Sequence, residues 1–131
     1  MFSTSDTVSI QVLHDGDDPI FHRDIRWPNI IRLPPCALGE PSKWILIDWD
    51  DSSGFPTQPA KHLNSENHAP EVFQEHHHGE VDVWGVGKLI IEASKWIIGL
   101  SLDIIKFGQC MQGDNRPTAR DALKKLKYLT Y

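Results

Sequence analysis

His22-Arg23-Asp24-Ile25-Arg26-Trp27-Pro28-Asn29 places a carboxylate at Asp24 and a carboxamide five positions later at Asn29. Downstream, Asp48 closes the apolar run Ile45-Leu46-Ile47. Phosphoryl transfer asks little covalent chemistry of a protein. It needs an acceptor-side carboxylate and two oxygen ligands for magnesium, held at fixed separations. Asp24, Asn29 and Asp48 have the side chains for those three parts. The bland alternative is three polar loop residues with no metal, and their joint spacing argues against it.

Working outward, Ile20-Phe21 leads into this loop from Asp15-Gly16-Asp17-Asp18-Pro19, a turn by composition. Further upstream, Val8 to Leu13 fits the tail of a helix or a strand. Leu33-Pro34-Pro35 through Pro41 can continue neither a helix nor a central strand and reads as a connection. Trp44 to Ile47 is continuously apolar, which predicts a short buried strand. From Asp50 to His68 the chain is rich in Ser, Gly, Pro, Asn and His, marking a long loop. Loops of that length inside compact domains are usually functional. A helix is expected from about Val81 to Ile98. Its apolar residues cover nearly every face, so it belongs in the middle of a domain, with Trp84 and Trp96 in the core. A second helix should start at Ser101 or Asp103 and reach Met111, with Leu102, Ile105 and Phe107 inward, until Gly113-Asp114-Asn115 breaks it. The last, about 118–129, has a Thr118/Asp121 capping pair and an inward stripe of Ala119, Ala122, Leu123, Leu126 and Leu129. No internal repeat or low-complexity tract is present. The expected fold class is mainly α with a few short strands.

The chain's 131 residues allow one core, with little room for a second. Apolar residues at 40% and charged residues at 24% are ordinary globular values. A net charge of -5 speaks against nucleic acid and anionic membrane as partners, since both favour basic patches. Cys36 and Cys110 have no zinc or disulfide spacing, which suits reduced thiols in a cytoplasmic or nuclear protein. The start, Met1-Phe2-Ser3-Thr4-Ser5-Asp6, shows no secretory leader, and Trp96-Ile97-Ile98-Gly99-Leu100 is too short to span a bilayer. His76-His77-His78, flanked by Glu75 and Glu80, reads as a solvated run in preference to a metal site. His22 is expected to be a packed structural histidine, and Trp27 is expected to pack. Lys124, Lys125 and Lys127 complement the last helix's dipole.

Ala69-Pro70-Glu71, then Asp82-Val83-Trp84-Gly85-Val86-Gly87, then Arg116-Pro117-Thr118-Ala119 follow the Asp24 loop and Asp48 in that order. With H-R-D-x-x-x-x-N at residues 22–29, the series resembles the large, C-terminal lobe of eukaryotic protein kinases from roughly Val12 to Leu129. The wording F-H-R-D-I-R-W-P-N-I and L-I-D-W-D-D looks most like kinase-like proteins of mushroom-forming fungi. The resemblance implies one partial domain over residues 1–131. It would have a catalytic loop at 22–29, a metal-binding aspartate motif at 48–50, an activation segment at 48–71 and one hairpin-like strand pair near the loop. Its implied activity is ATP- and magnesium-dependent phosphorylation of Ser or Thr on a protein substrate. Asp24 would orient or accept the hydroxyl proton, Arg26 would lie near the transferring phosphate, and Asn29 and Asp48 would hold magnesium. Arg23 would sit near the long loop, where phosphorylation of Ser52, Ser53, Thr57 or Ser65 could order it. Glu71 would form a buried salt bridge with Arg116. Asp82 would accept backbone N–H bonds from the His22-Arg23 turn. These last two roles are structural.

The sequence also departs from the family. Before Val12 there is no room for the glycine-rich loop, strand lysine and helix glutamate of the small β lobe. Gly85-Val86-Gly87 lies inside the expected helix and fits neither a dinucleotide fingerprint nor a Walker loop. Asp50 stands where D-F-G has glycine, and the short stretch from Asp82 to Arg116 implies a lost helix. Asp48-Trp49-Asp50 resembles the aminoglycoside and choline phosphotransferases more closely, whereas the Ala69, Asp82 and Arg116 motifs side with protein kinases. Positioning supplies most of this catalysis, so the isolated chain is expected to be weak or inactive. The alternative is a non-catalytic, pseudokinase-like binding module. An apolar patch around Ile20, Phe21 and Trp49 is expected to be open, favouring self-association or a covering partner.

Overall fold

The computed structural model describes residues 10–130, so Val8, Ser9 and the expected leaderless start lie outside it. Residues 10–14 are helical, which settles the described part of the ambiguous upstream segment, and Ile10 is buried. Strand β1 (Ile20–Phe21) pairs antiparallel with β4 (Ser53–Gly54), and β2 (Ile30–Leu33) pairs antiparallel with β3 (Lys43–Leu46). A 3-10 turn, Trp27–Asn29, joins the loop to β2, and a second, Pro70–Phe73, ends the long loop. Three helices follow, α1 (Glu80–Ala93), α2 (Leu102–Met111) and α3 (Ala119–Thr130). The described chain is mainly helical with a few short strands. No described helix is long and apolar enough to cross a membrane.

Helix α1 is the central element, with nine of its 14 residues buried, Asp82, Gly85 and Gly87 among them. It stops five residues short of the expected Ile98. Ser94 Oγ bonds back to the Ile91 carbonyl at 2.6 Å, and Lys95 and Trp96 donate three residues back instead of four. Such back-bonding competes with the helical ladder. Trp96 is consequently 60% exposed, not a core residue, and meets only the rim, edge to face with Trp27 at 5.4 Å. Trp84 is half-buried against a second small core of Ala60, Ala69, Val72 and Val81.

The α1–α2 crossing is backbone against backbone. A methyl at Gly87 would lie 2.6 Å from the Gly108 carbonyl oxygen, and one at Gly108 would lie 2.8 Å from Ile90 Cγ2. That crossing sets α2's inward stripe as Ile104, Phe107, Gly108 and Met111, one face of a helix. Leu102 falls on the opposite face and is 63% exposed, against expectation. Helix α3 matches its expected stripe at Ala119, Ala122, Leu123 and Leu126, all buried. Thr118 Oγ1 accepts the Asp121 N–H at 3.2 Å at its start. Arg120 clasps Asp15 at 2.8 Å, and that hydrogen bond holds the Asp15 carboxyl below its ordinary range. Both ends are in solvent, so the clasp steers more than it stabilises.

Two strand pairs form instead of one. Strand β3 is not buried on both faces: Trp44 and Leu46 face in, while Lys43 and Ile45 face out. A two-stranded ribbon over a core has only one covered face. Its open face carries Ile45 opposite Ile31, with Leu33 beside them. Phe21, by contrast, is 2% exposed. Pairing of β1 with β4 turns Ile20 outward and Phe21 inward, so the expected patch shifts to Ile20, Trp49 and the ribbon face.

Candidate functional site

The loop after β1 is held from beneath by Asp82, buried in the first turn of α1. Its Oδ2 accepts the His22 N–H and its Oδ1 the Arg23 N–H, each at 2.8 Å, and His14 Nε2 donates to Oδ2 at 2.8 Å. Arg23 adopts a left-handed backbone, φ 70°, which a non-glycine residue keeps only where its surroundings hold it. The two bonds to Asp82 do so. His22 is fully buried and both ring nitrogens are used. Nε2 donates to the Ile47 carbonyl at 3.0 Å, and Nδ1 accepts the Asp24 N–H at 3.2 Å. With no nitrogen free, His22 shapes the loop and ties it to the end of β3.

Ile47 N–H also bonds the Asn29 carbonyl at 2.8 Å. These two ties bring the start of Asp48-Trp49-Asp50 beside the loop. Asp48 is exposed in a left-handed conformation, φ 60°, and among the described residues its carboxylate makes only a long 3.5 Å contact, with the Asp50 N–H. Asn29 is buried, and its Nδ2 donates to both the carbonyl oxygen and Oδ2 of Asp24 at 2.9 Å.

Asp24 is 4% exposed. Besides Asn29 on Oδ2, its Oδ1 meets Arg26 Nε at 2.9 Å and His68 Nε2 at 2.6 Å. The Arg26 contact is coulombic, because the buried Nε–H is not aligned for a hydrogen bond to that oxygen. The His68 contact is the one sequence reasoning missed. His68 Nδ1 lies 2.6 Å from the Asn64 carbonyl, so both ring nitrogens face acceptor oxygens. The nearest local signal was its place directly before Ala69-Pro70-Glu71 at the end of the long loop.

Arg23 crosses to the long loop, donating from Nε to the Asp51 carbonyl at 2.6 Å and from Nη1 to the Gln58 carbonyl at 3.1 Å. Burial lowers its pKa from the ordinary guanidinium value, against the pull of Asp51 and Asp82. Backbone carbonyls thus hold this arginine against the long loop. Of the four hydroxyls named as modification sites, Thr57 is fully buried and donates to the His77 carbonyl at 2.6 Å, so it is withdrawn from that role. His77 is buried too, which corrects the solvated reading at that position, while His76 and His78 are exposed as expected. Its Nδ1 donates to the Gln74 carbonyl at 2.8 Å, while His78 stacks on Phe55 at 4.4 Å. No cluster of three or more His, Cys, Asp or Glu suited to a metal ion occurs among the described residues.

Glu71 and Arg116 meet as a fork, at 2.9 and 3.3 Å. Arg116 donates further to the carbonyls of Glu80, at 2.9 Å, and Gly113, at 3.0 Å. The pair is buried at one end only: the arginine side chain is 6% exposed and the glutamate 33%. Arg116 therefore staples the 3-10 turn, the start of α1 and the entry to α3. Arg116→Ala should lower stability by about 2–3 kcal/mol in urea denaturation, since charge-assisted bonds and buried carbonyls are lost together. A loss below about 0.5 kcal/mol, the range of ordinary surface changes, would refute the staple.

No family model matches the chain. It is 37% identical over 73 residues to Crinkler effector protein 8 of Phytophthora infestans, an alignment covering 53% of this chain and 11% of that protein. The chain thus spans only a small part of that relative's length.

Proposed function

We propose that this chain is the catalytic-loop portion of a protein kinase-like phosphotransferase, of the C-terminal lobe type. Its reaction is transfer of the ATP γ-phosphate to a Ser or Thr hydroxyl with magnesium, in the cytoplasm or nucleus. The observation that carries this reading is the buried Asp24–Asn29 pair on a loop whose backbone is held by Asp82. A left-handed backbone such as that of Arg23 costs stability, and such strain clusters at functional sites.

The oxygen donors fit magnesium. Asn29 donates through Nδ2, which leaves Oδ1 as its ligand oxygen, and the Asp48 carboxylate is exposed with one weak contact. Magnesium takes few protein oxygens and keeps several waters. When bound, it would neutralise charge on the phosphate oxygens. Asp24 orients the acceptor hydroxyl and takes up its proton, and Arg26, 40% exposed beside it, reaches toward the transferring phosphate. These 131 residues carry no glycine-rich phosphate loop, so alone they bind nucleotide weakly and turn over little.

The test is a thermal melt with magnesium and ATP. A ligand that binds the native state raises the midpoint. At concentrations near tenfold above Kd, about 1.4 kcal/mol of stabilisation is expected, and Asp48→Ala should remove it. A flat midpoint at millimolar nucleotide would overturn the phosphotransfer reading. It would leave a non-catalytic binding module, which the fully engaged Asp24 carboxylate favours. A partner protein, or a second copy, covering the ribbon face of Ile31, Leu33 and Ile45 belongs to either version. Light scattering should then show mass rising with concentration, and a constant monomer mass would remove self-association.

A further inference from the structure

We propose that segment 64–68 is a lid closed over the Asp24 carboxylate, with His68 as its plug and Lys88 as its anchor. The lid's meaning as autoinhibition rests on the phosphotransfer reading, while its existence rests on geometry alone. A hydroxyl activated by Asp24 must come within about 2.6–3.2 Å of a carboxylate oxygen. The Asp24 side chain is 5% exposed, and both oxygens are engaged: Oδ1 by the His68 hydrogen bond at 2.6 Å with Arg26 Nε at 2.9 Å, Oδ2 by one bond from Asn29 at 2.9 Å. Asn29 is held to Asp24 twice and lies in the loop's own turn. His68 is the one of the three that comes from another segment, 44 residues away. A substrate reaches Asp24 by displacing it.

The segment is built to move as a unit. It is bounded by buried Ala60 and Ala69, which pack with Val72 and Val81 in a core of their own. Ala60 N–H bonds the Val72 carbonyl at 2.9 Å, so the excursion between them can leave while both ends stay fixed. Within it, Asn64 Oδ1 accepts the Glu66 N–H and the Asn64 carbonyl meets His68 Nδ1, each at 2.6 Å. Its outer tie is Lys88 on α1, which donates to the Glu66 carbonyl at 2.9 Å and to Asn67 Oδ1 at 2.5 Å. Asn64, Ser65 and Glu66 are exposed. Such a segment opens locally at far lower cost than the fold around it.

The experiment labels carboxylates of the full chain with a water-soluble carbodiimide and glycine ethyl ester, read residue by residue by mass spectrometry. Asp48, exposed in the parent chain and distant in sequence from both substitutions, is the internal reference. In the parent chain Asp24 should label poorly. In His68→Ala its labelling should rise about tenfold relative to Asp48, the change expected when a closed local state becomes largely open. Lys88→Ala, which loosens the lid without touching Asp24, should give a smaller rise of about threefold. Unchanged Asp24 labelling in a folded His68→Ala variant overturns the lid. Should that variant not fold, unchanged labelling in Lys88→Ala overturns it equally. Nucleotide melts separate the two proposals. Increased labelling with flat melts in parent and variants keeps the lid and discards phosphotransfer. A nucleotide-dependent melt with unchanged labelling does the reverse.

Discussion

Asp82→Ala should destabilise the chain by about 3–5 kcal/mol, the largest effect expected of any polar substitution here. The carboxylate accepts three hydrogen bonds at 2.8 Å, from His22 N–H, Arg23 N–H and His14 Nε2, while 1% exposed. Removing it strands one buried and one half-buried backbone donor, and each buried unsatisfied donor costs about 1–3 kcal/mol. It also removes what holds Arg23 at φ 70°, a conformation worth about 1–3 kcal/mol of strain. His14→Ala is the comparison, because it deletes one of the three donors and leaves the loop held; it should cost about 1 kcal/mol. Urea denaturation should show the midpoint falling with an unchanged slope. A loss for Asp82→Ala no larger than that for His14→Ala would mean the loop is held by something else.

Gly87→Ala should cost about 2–3 kcal/mol although alanine is the better helix former by about 1 kcal/mol. Sterics decide the sign. The new methyl would lie 2.6 Å from the Gly108 carbonyl oxygen and 2.7 Å from Met111 Cβ. One is backbone and the other is the stem of a fully buried side chain, so relief requires α1 and α2 to move apart along their whole crossing. Gly16→Ala is the control, with nothing nearer than 4.0 Å to meet. It should leave stability within about 0.5 kcal/mol. Equal stability of Gly87→Ala and the parent in thermal unfolding would show that the crossing is looser than drawn.

These two residues also divide what was legible from what was not. Asp82 and Arg116 were expected in their contacts because the motif order resembled a known lobe, not because composition or periodicity located their partners. Gly87 was noted in sequence only as the end of the Asp82–Gly87 motif and as part of a Gly-Val-Gly that fits no nucleotide loop. Its packing role needed the position of α2. Trp96 was misplaced because an all-apolar run has no direction. Nothing in Trp96-Ile97-Ile98 says that the ladder is lost at Ser94. Phe21 and Ile20 are neighbours with opposite fates, decided by a strand partner more than 30 residues away. Thr57 and His77, both in polar stretches, are buried because they bond each other across the loop.

By itself the sequence determined the mainly helical class, the α3 stripe with its Thr118 cap, the breaks at the proline- and glycine-rich connections, and the three oxygen-bearing side chains. All of these rest on interactions within a turn or two of chain, or on side-chain identity alone. Only the tertiary structure decided which groups touch Asp24. His68 arrives there because Ala60 and Ala69 bury together and fix where the long loop returns. That closure joins segments far apart in the chain. Its geometry is set by packing against α1, which no local pattern around residue 68 encodes.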